Sequence, residues 1–455
     1  VNSASDTIAA IATASGRAGV GIIRISGPAA RPISATLAGP MPAPRMAALR
    51  RFQRADATPI DEGLLLYFPA PHSFTGEDVV EIQAHGSPIA LGEILEALCK
   101  AGARLARPGE FSERAFLNGR IDLAQAEAVA DLIDASSRQA ARAAVRSLQG
   151  EFSQRINAAV ESLIALRVLL EAALDFADEE IPAAAPRAVD ERLKVIAEEL
   201  SQVQKSAAQG RRLREGLRVA IAGKPNVGKS TLLNRLAGTD AAIVSPQAGT
   251  TRDVLREHIV IGGLPLILID TAGLRDTDDA IEREGIRRAR AEIESAELLL
   301  WIVDDRDESL ETRSPDPQPN TAISAQARQS LIVRNKCDLS GNTPGVVVDQ
   351  QGARMIRVCA ASGAGCDILI AAIQQAAGLD NNSEQVYSAR ARHLEALDLA
   401  LVRVRAAQTL AQQHFDAVLI AEELRLAQHA LEAITGKFTS EDLLGRIFGS
   451  FCLGK

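Results

Sequence analysis

The sequence predicts a multidomain chain of the α/β plus all-α class. Three observations carry this. Over residues 1–118, short runs of β-forming apolar residues alternate with helical segments. Two blocks, 119–210 and 381–455, carry the 3.6-residue periodicity of amphipathic helices. Between them, over 211–380, apolar strands lead into turns rich in glycine and polar residues, starting with Gly223-Lys-Pro-Asn-Val-Gly-Lys-Ser230. The expected architecture is an N-terminal α/β domain (1–118), a helical domain in two parts (119–210 and 381–455), and a second α/β domain (211–380) inserted into the helical one.

In the first domain, Val20–Ile25 reads as a strand stopped at Ser26-Gly-Pro28, and Gly63–Phe68 as another stopped by Pro69 and Pro71. Val79–Gln83 alternates outward and inward positions, and Ile89–Lys100 is a helix closed by Ala101-Gly102. From Leu123 to about Ala177 the pattern is helical and rich in alanine; Pro182 and Pro186 interrupt it, and Val189–Gln209 resumes it. Arg138, Arg142 and Arg146 form a stripe along one helix face, read as a solvated surface. Beyond the insertion, Leu394, Leu397, Leu401 and Val404 share one helix face, and Ile420, Leu424, Ala427, Leu431 and Ile434 share another. Neither block alone offers much core, so the two are expected to pack as one bundle, with the inserted domain able to swing on its two linkers.

The chain has 455 residues, which suits about three domains, and its 47% hydrophobic and 24% charged composition is that of a globular protein. No apolar run reaches the roughly 18 residues of a membrane span, and the N-terminal stretch lacks the pattern of a signal peptide. Five cysteines (Cys99, Cys337, Cys359, Cys366, Cys452) are widely spaced, with no C-x-x-C pair, so a reduced cytoplasmic protein without structural zinc is expected. A net charge of −8 excludes a bulk nucleic-acid binder and confines any RNA contact to a local basic patch.

The stretch Gly223–Ser230 fits G-x-x-x-x-G-K-S/T, flanked by an apolar strand (Leu217–Ala222) and a helical run from Thr231. Such a loop cradles phosphates with backbone N–H groups; Lys229 reaches the β- and γ-phosphates and Ser230 a Mg²⁺ ion. Leu266–Ile269 leads into Asp270-Thr-Ala-Gly273, placing Asp270 at the Mg²⁺ shell and the Gly273 N–H at the γ-phosphate. Ser330–Arg334 leads into Asn335-Lys-Cys-Asp338, where a carboxylate at Asp338 matches the N1–H and 2-amino donors of guanine. Met355–Val358 leads into Cys359-Ala-Ala-Ser362, whose backbone N–H groups suit guanine O6, and Gly249-Thr-Thr-Arg-Asp253 offers Thr251 as a second Mg²⁺ ligand. The expected GTP-contacting set is Asn226, Val227, Gly228, Lys229, Ser230 and Thr231; Ser245, Pro246, Gln247, Ala248, Gly249, Thr250 and Thr251; Asp270, Thr271, Ala272 and Gly273; Asn335, Lys336, Cys337 and Asp338; and Cys359, Ala360 and Ala361.

Hydrolysis needs a positioned water, yet Leu274 occupies the place where small GTPases often carry glutamine. Asp276, Asp278, Asp279, Glu282 and Glu284 follow, and spacing does not choose among them. Arg252 and Arg275 read as surface arginines. Asn226, together with carbonyls of the loop Ser245–Thr250, suits a monovalent cation beside the phosphates, and Asn226 reads equally as an ordinary P-loop spacer.

The ordered segments GVGIIRISG, PHSFTGEDVVEIQAHG, RPGEFSERAFLNGRIDLAQAEAVADLIDA, GKPNVGKS, GTTRD, DTAGLRDTDDAIEREGI, NKCD and terminal CLGK closely resemble the tRNA-modification GTPase family MnmE, also called TrmE. The resemblance spans nearly the whole chain and implies a tetrahydrofolate-binding-like N-terminal domain that mediates homodimerisation, and a Ras-like GTPase domain inserted in the helical domain. It implies addition of a carboxymethylaminomethyl or aminomethyl group to C5 of a tRNA wobble uridine. The one-carbon unit would come from 5,10-methylene- or 5-formyl-tetrahydrofolate, and the partner would be the FAD-carrying MnmG, in a heterotetramer or larger assembly. Arg24, Glu81, Arg120 and Lys455 match folate-contacting positions, with Arg120 in place of a lysine. Cys452 matches a cysteine of the modification reaction and Glu282 the glutamate that orients water; Asn226, Ser245, Gln247 and Thr250 match a potassium site. A ribosome-assembly GTPase shares the nucleotide motifs, but no dedicated basic RNA-binding module accompanies them here. A folate enzyme with a vestigial GTPase is opposed by the intact set Lys229, Ser230, Thr251, Asp270 and Asp338.

Overall fold

The computed structural model describes residues 6–175, 185–237, 256–270, 296–307, 329–348, 354–378, 386–437, 441–451 and 454. They fall into two compact units. The first comprises Val1–Ala130, Ser153–Arg167 and Leu424–Lys455; the second comprises Asp131–Phe152 and Val168–Glu423.

The first unit is built on β1 (Ile8–Ile11), β2 (Ala18–Ser26), α1 (Ala30–Ala38), β3 (Ala48–Gln53), β4 (Pro59–Phe68), β5 (Val79–Gly86), α2 (Pro88–Lys100) and β6 (Arg104–Leu105). The strands lie in the order β3-β4-β5-β2-β1-β6, and all neighbours are antiparallel except β1 and β6. Strand alternation decides the two faces. Ile23, Ile25, Leu65, Val80 and Ile82 point to one side and pack on Ile33 and Leu37 of α1 and Leu91, Ile94 and Leu98 of α2. Arg24 and Glu81, directly paired across β2 and β5, project from the other side. Gly21 allows α2 to approach, since a Cβ there would lie 2.4 Å from Leu91 Cδ1. The strands extend past the sequence expectation because edges carry fewer apolar residues; β1, β3 and β6 carry too little alternation to be read from sequence.

Next come α3 (Glu110–Leu117) and α4 (Leu123–Ile133). Leu123 and Ala126 share a small core with Ile447, Phe448 and Phe451 near the C-terminus. Gly109 makes that contact possible: its φ is +69°, and a Cβ would stand 2.3 Å from Phe448 O.

The second unit contains α5 (Arg138–Leu148), part of α6 (Glu151–Asp175), α7 (Pro186–Glu215), β7 (Leu217–Ala222), α8 (Lys229–Ala237), β8 (Arg256–Ile261), β9 (Leu264–Asp270), β10 (Leu298–Asp304), β11 (Gln329–Asn335), α9 (Cys337–Ser340), β12 (Gly345–Val348), β13 (Arg354–Val358), α10 (Cys366–Ala376) and α11 (Ala391–Gln413). Helix α12 (Ala417–Thr435) follows, and α13 (Glu441–Gly449) belongs to the first unit. The buried residues of α7, Val189, Leu193, Ile196, Leu200, Val203, Ala207 and Gly210, step by four and three, the seam of a two-helix coil. Its counterpart on α11 is His393, Leu397, Ala400, Val404, Ala407 and Ala411. The pairing is antiparallel: Asp190 near the start of α7 accepts from Gln408 at 3.3 Å and Gln412 at 2.8 Å, late in α11. The two helical blocks on either side of the nucleotide motifs thus meet as expected from their periodicity. The α11 seam begins at His393 rather than Leu394, because His393 Nδ1 accepts from the Arg390 N–H at 3.2 Å and fastens the helix start.

Between α7 and α11 lies a sheet in the order β12-β13-β11-β10-β7-β9-β8. β13, β11, β10, β7 and β9 run parallel, while β12 and β8 are antiparallel edges. Its core is Val219, Ile221, Leu266, Leu268, Leu298, Leu300, Ile302, Val333, Ile356 and Val358 against Leu232 and Leu236 of α8 and Leu369 and Ile373 of α10. The parallel strands read as near-continuous apolar runs because both faces are covered. The edges β8 and β12 were not legible for the opposite reason. Residues 308–328 lie outside the described residues, and Asp304 closes β10.

Candidate functional site

Parallel alignment brings the carboxyl ends of β7, β9, β10, β11 and β13 to one edge, the place where open α/β sheets hold ligands. The loop after β7 turns through Asn226 at φ +65° and Gly228 at φ +92°. Gly223 and Gly228 are sterically required, since Cβ atoms there would lie 2.2 Å from Ile302 O and 2.4 Å from Asn335 Nδ2. Lys229 donates to its own loop, at 2.8 Å to Gly223 O and 3.0 Å to Lys224 O. An ammonium, turned backbone N–H groups, a helix start at Lys229 and no carboxylate within 223–230 form a donor set suited to a polyphosphate. Ser230 and Thr231 are exposed in the first turn of α8.

The base-side turns are fastened to this loop by one buried side chain. Asn335 Nδ2 donates to Val227 O at 2.9 Å, and its Oδ1 accepts from Ala360 N at 3.0 Å. Lys336, at φ +67°, donates to Asn226 O at 2.5 Å and to Asp304 Oδ2 at 3.0 Å. Cys337 and Cys359 are buried beneath these turns, and Asp338 is exposed in the first turn of α9. Arg235 of α8 donates to Ala360 O at 3.2 Å and also to Ala361 O. Hydrogen bonds from Arg306 foremost, with Lys336, hold Asp304 well below the ordinary carboxylate range.

Sequence reasoning missed the residue beneath this arrangement. Asp305 is fully buried and accepts from Arg334 Nε at 2.6 Å, Arg357 Nε at 3.1 Å, Ser340 Oγ at 2.5 Å and Asn342 Nδ2 at 2.8 Å. Its own N–H donates to Asn335 O at 2.8 Å. Burial would raise its pKa, but these donors outweigh it and hold it below the ordinary carboxylate value. A charged pair inside a strand-end dipeptide resembles surface residues in sequence, which is why no signal marked it.

Asp270 ends β9, with its side chain outside the described residues. Ser245, Pro246, Gln247, Ala248, Gly249, Thr250, Thr251, Thr271, Ala272, Gly273, Glu282, Cys452 and Lys455 also lie outside them, as do the other carboxylates and arginines of 252–284 singled out above.

The first unit holds a cavity of about 410 Å³ lined by Arg45, Phe68, His72, Ser73, Phe74, Val79, Glu81 and Arg120. Arg24 donates to Glu81 Oε1 at 2.9 Å, and its guanidinium lies 5.4 Å from the Phe74 ring centre. Three residues assigned to folate by resemblance are therefore gathered on the open face of β2 and β5 and beside it. A carboxylate, guanidinium groups and aromatic walls fit a heteroaromatic ring with hydrogen-bonding edges and an acidic tail. The wall is braced from below: Arg114 donates to Glu77 at 3.1 Å, Asp6 at 2.7 Å and Glu110 at 3.2 Å, and Ser26 donates to Glu77 at 2.7 Å. Glu110 is nearly inaccessible; burial alone would raise its pKa, but Arg104 and the Arg107 N–H bring it down to about 2. Gly454, at φ +87°, lies against β1, where a Cβ would meet Ile11 O at 2.5 Å. Gly454 is thereby brought beside the strand that pairs with β2. Arg45 and His72 were not anticipated, because they come from loops whose approach to β5 no local pattern encodes.

Residues 7–120 match the family model described as GTP-binding protein TrmE N-terminus, and residues 123–452 the MnmE helical domain. The chain is 52% identical over 459 residues to the tRNA modification GTPase MnmE of Stutzerimonas stutzeri (strain A1501), covering 99% of each. Among solved structures, Era of Aquifex aeolicus bound to GDP and AlF4⁻ is 26% identical, over 41% of this chain and 66% of that one, with a TM-score of 0.27. The FeoB G-domain of Methanococcus jannaschii is 24% identical over 36% and 97%, with a TM-score of 0.25. Those scores carry no argument; the assignment rests on the two family models and on the full-length identity. On that ground the chain belongs to the MnmE family of tRNA modification GTPases.

Proposed function

We propose that this chain is the GTP-hydrolysing component of an enzyme that adds a carboxymethylaminomethyl or aminomethyl group to C5 of the wobble uridine of tRNA. The observation that supports this reading best is the presence, on one chain, of both the phosphate and base turns and the Arg24–Glu81 cavity. A tetrahydrofolate derivative supplies the one-carbon unit there, held by Arg24, Glu81, Arg120 and Lys455. The partner is an FAD-carrying protein of the MnmG type, and the chain works as a homodimer through residues 1–118.

In the nucleotide domain, taken as 211–380, Ser230 and Thr251 would hold Mg²⁺, and Asn226, Ser245, Gln247 and Thr250 would hold K⁺. The positive φ of Asn226 and the donor set of its loop support phosphate binding beside it. A cation there takes the part that an arginine finger plays elsewhere. Glu282 orients the attacking water, and Cys452 acts in the modification step.

Mass spectrometry of wobble nucleosides, with and without the gene, tests the whole reading. Loss of the C5-modified uridines on deletion, restored by the intact gene and not by Cys452→Ser, is the expected outcome. An unchanged nucleoside profile rejects it. For hydrolysis, Glu282→Ala should leave GTP affinity near that of the wild type while turnover falls at least about tenfold; equal turnover removes Glu282 from the step.

A further inference from the structure

The cavity of the first unit carries more positive charge than its own carboxylate neutralises. Glu81 already accepts from Arg24 at 2.9 Å. Arg45 and Arg120 line the same cavity, and neither has an ion-pair partner among the described residues. Both are exposed, so water already screens them; what they offer an anion in the cavity is planar forks of N–H donors.

Arg45 is held in place. Its N–H donates to Tyr67 O at 2.8 Å, its Nη2 donates to His72 O, and its Cζ lies 5.8 Å from the Phe68 ring centre. Its φ of +62° is unfavourable for a side chain with a Cβ. Tyr67 O holds the backbone there, and His72 O takes one guanidinium N–H, leaving most of the guanidinium's donors for a ligand.

We propose that Arg45 forms, with Arg120, an anion subsite for the carboxylates of a folate tail, so that the cavity selects tailed tetrahydrofolates over a bare pterin. This rests on the folate reading above; Arg45 is the new element. Planar guanidinium forks suit the α- and γ-carboxylates of a glutamyl tail, while the ring sits toward Glu81 and Phe74. Because Arg45 is exposed, its contribution is screened by salt.

The test is equilibrium binding to the full chain at low and high salt. The probes are 5-formyl-tetrahydrofolate with one glutamate, the same compound with three, and 6-methyltetrahydropterin, which has the ring and no tail. Arg45→Gln should weaken 5-formyl-tetrahydrofolate about tenfold, flatten its salt dependence and leave the pterin unchanged. Arg45→Lys should retain part of the affinity, and it keeps the test decisive if thermal unfolding shows the glutamine variant to be misfolded. Unchanged binding in a folded variant, or equal weakening of tailed and tail-less probes, overturns the Arg45 assignment while the folate reading stands. A wild-type chain that binds none of the three probes overturns both.

Discussion

Asp305→Ala should destabilise the nucleotide-binding sheet more than any change at the exposed ligand-facing residues. The carboxylate side chain is 0% exposed and that of Arg334 is 2% exposed, so truncation strands a buried guanidinium. Arg357, 18% exposed, loses the same partner, and Ser340 and Asn342 lose an acceptor. Removing one member of a buried ion pair costs about 3–5 kcal/mol. With a urea slope of about 2 kcal/mol per molar, the midpoint should fall by roughly 2 M. The assay is built in: Trp301, the single tryptophan, lies in β10 immediately before Asp305, so its fluorescence follows this sheet. The folded pKa of Asp305 is depressed, so its stabilisation is present above the ordinary value of 3.8 and is lost as pH falls toward the folded value. Wild-type Trp301 unfolding should therefore weaken below about pH 4, and the variant should lose that component. A midpoint shift below about 0.5 M, worth roughly 1 kcal/mol at that slope, would refute the reasoning.

Other expectations follow from the same geometry. Gly228→Ala places a Cβ 2.4 Å from Asn335 Nδ2 at φ +92°, so GTP affinity should fall at least about tenfold, read by nucleotide fluorescence; near-native binding would mean the Asn335 bridge is dispensable. Asp131 accepts from Arg214 at 2.8 Å, Arg390 at 3.0 Å and Ser388 at 2.5 Å, joining the segments that enter and leave the nucleotide sheet. Asp131→Ala should cost about 2 kcal/mol, less than a fully buried pair because Arg214 is 33% exposed, and should speed amide exchange at 386–390; unchanged exchange there would count against the link. Glu110 stabilises the first unit above its ordinary pKa of 4.5, and that contribution is lost as pH falls toward about 2. Glu110→Gln should accordingly flatten the acid dependence of amide exchange in α3 between those values, whereas an unaltered acid limb would assign it to other groups.

Much of the architecture was legible because it is local. β7, β9, β11 and β13 of the nucleotide sheet are each a continuous apolar run ending at its own motif, whereas the equally apolar β10 ends in Asp304-Asp305 rather than in a nucleotide motif and was not marked. Periodicity showed that both α7 and α11 are helical and lack a core of their own, while the seven-residue seams by which they pair came from the structure. The edge strands β8 and β12 and the short β1, β3 and β6 were not legible, since half-exposed edges lack a strong pattern and are specified by their partners. The phosphate and base turns were readable for a different reason: their residue types are dictated by backbone conformation and ligand chemistry. Arg24 and Glu81 stand 57 positions apart, and only strand register makes them a pair.

Sequence was enough for the mixed α/β and all-α class of the chain and for the chemistry available at each turn. These follow from periodicity and from residue types that few conformations accept. Packing alone revealed that Asp305 pairs with both Arg334 and Arg357, that Asn335 binds the phosphate turn to the base turn, and that Arg45 joins Arg120 at one cavity. Each of those brings together residues far apart in the chain. A charged side chain reads the same in sequence whether it faces water or a partner, and burial alone separates the two.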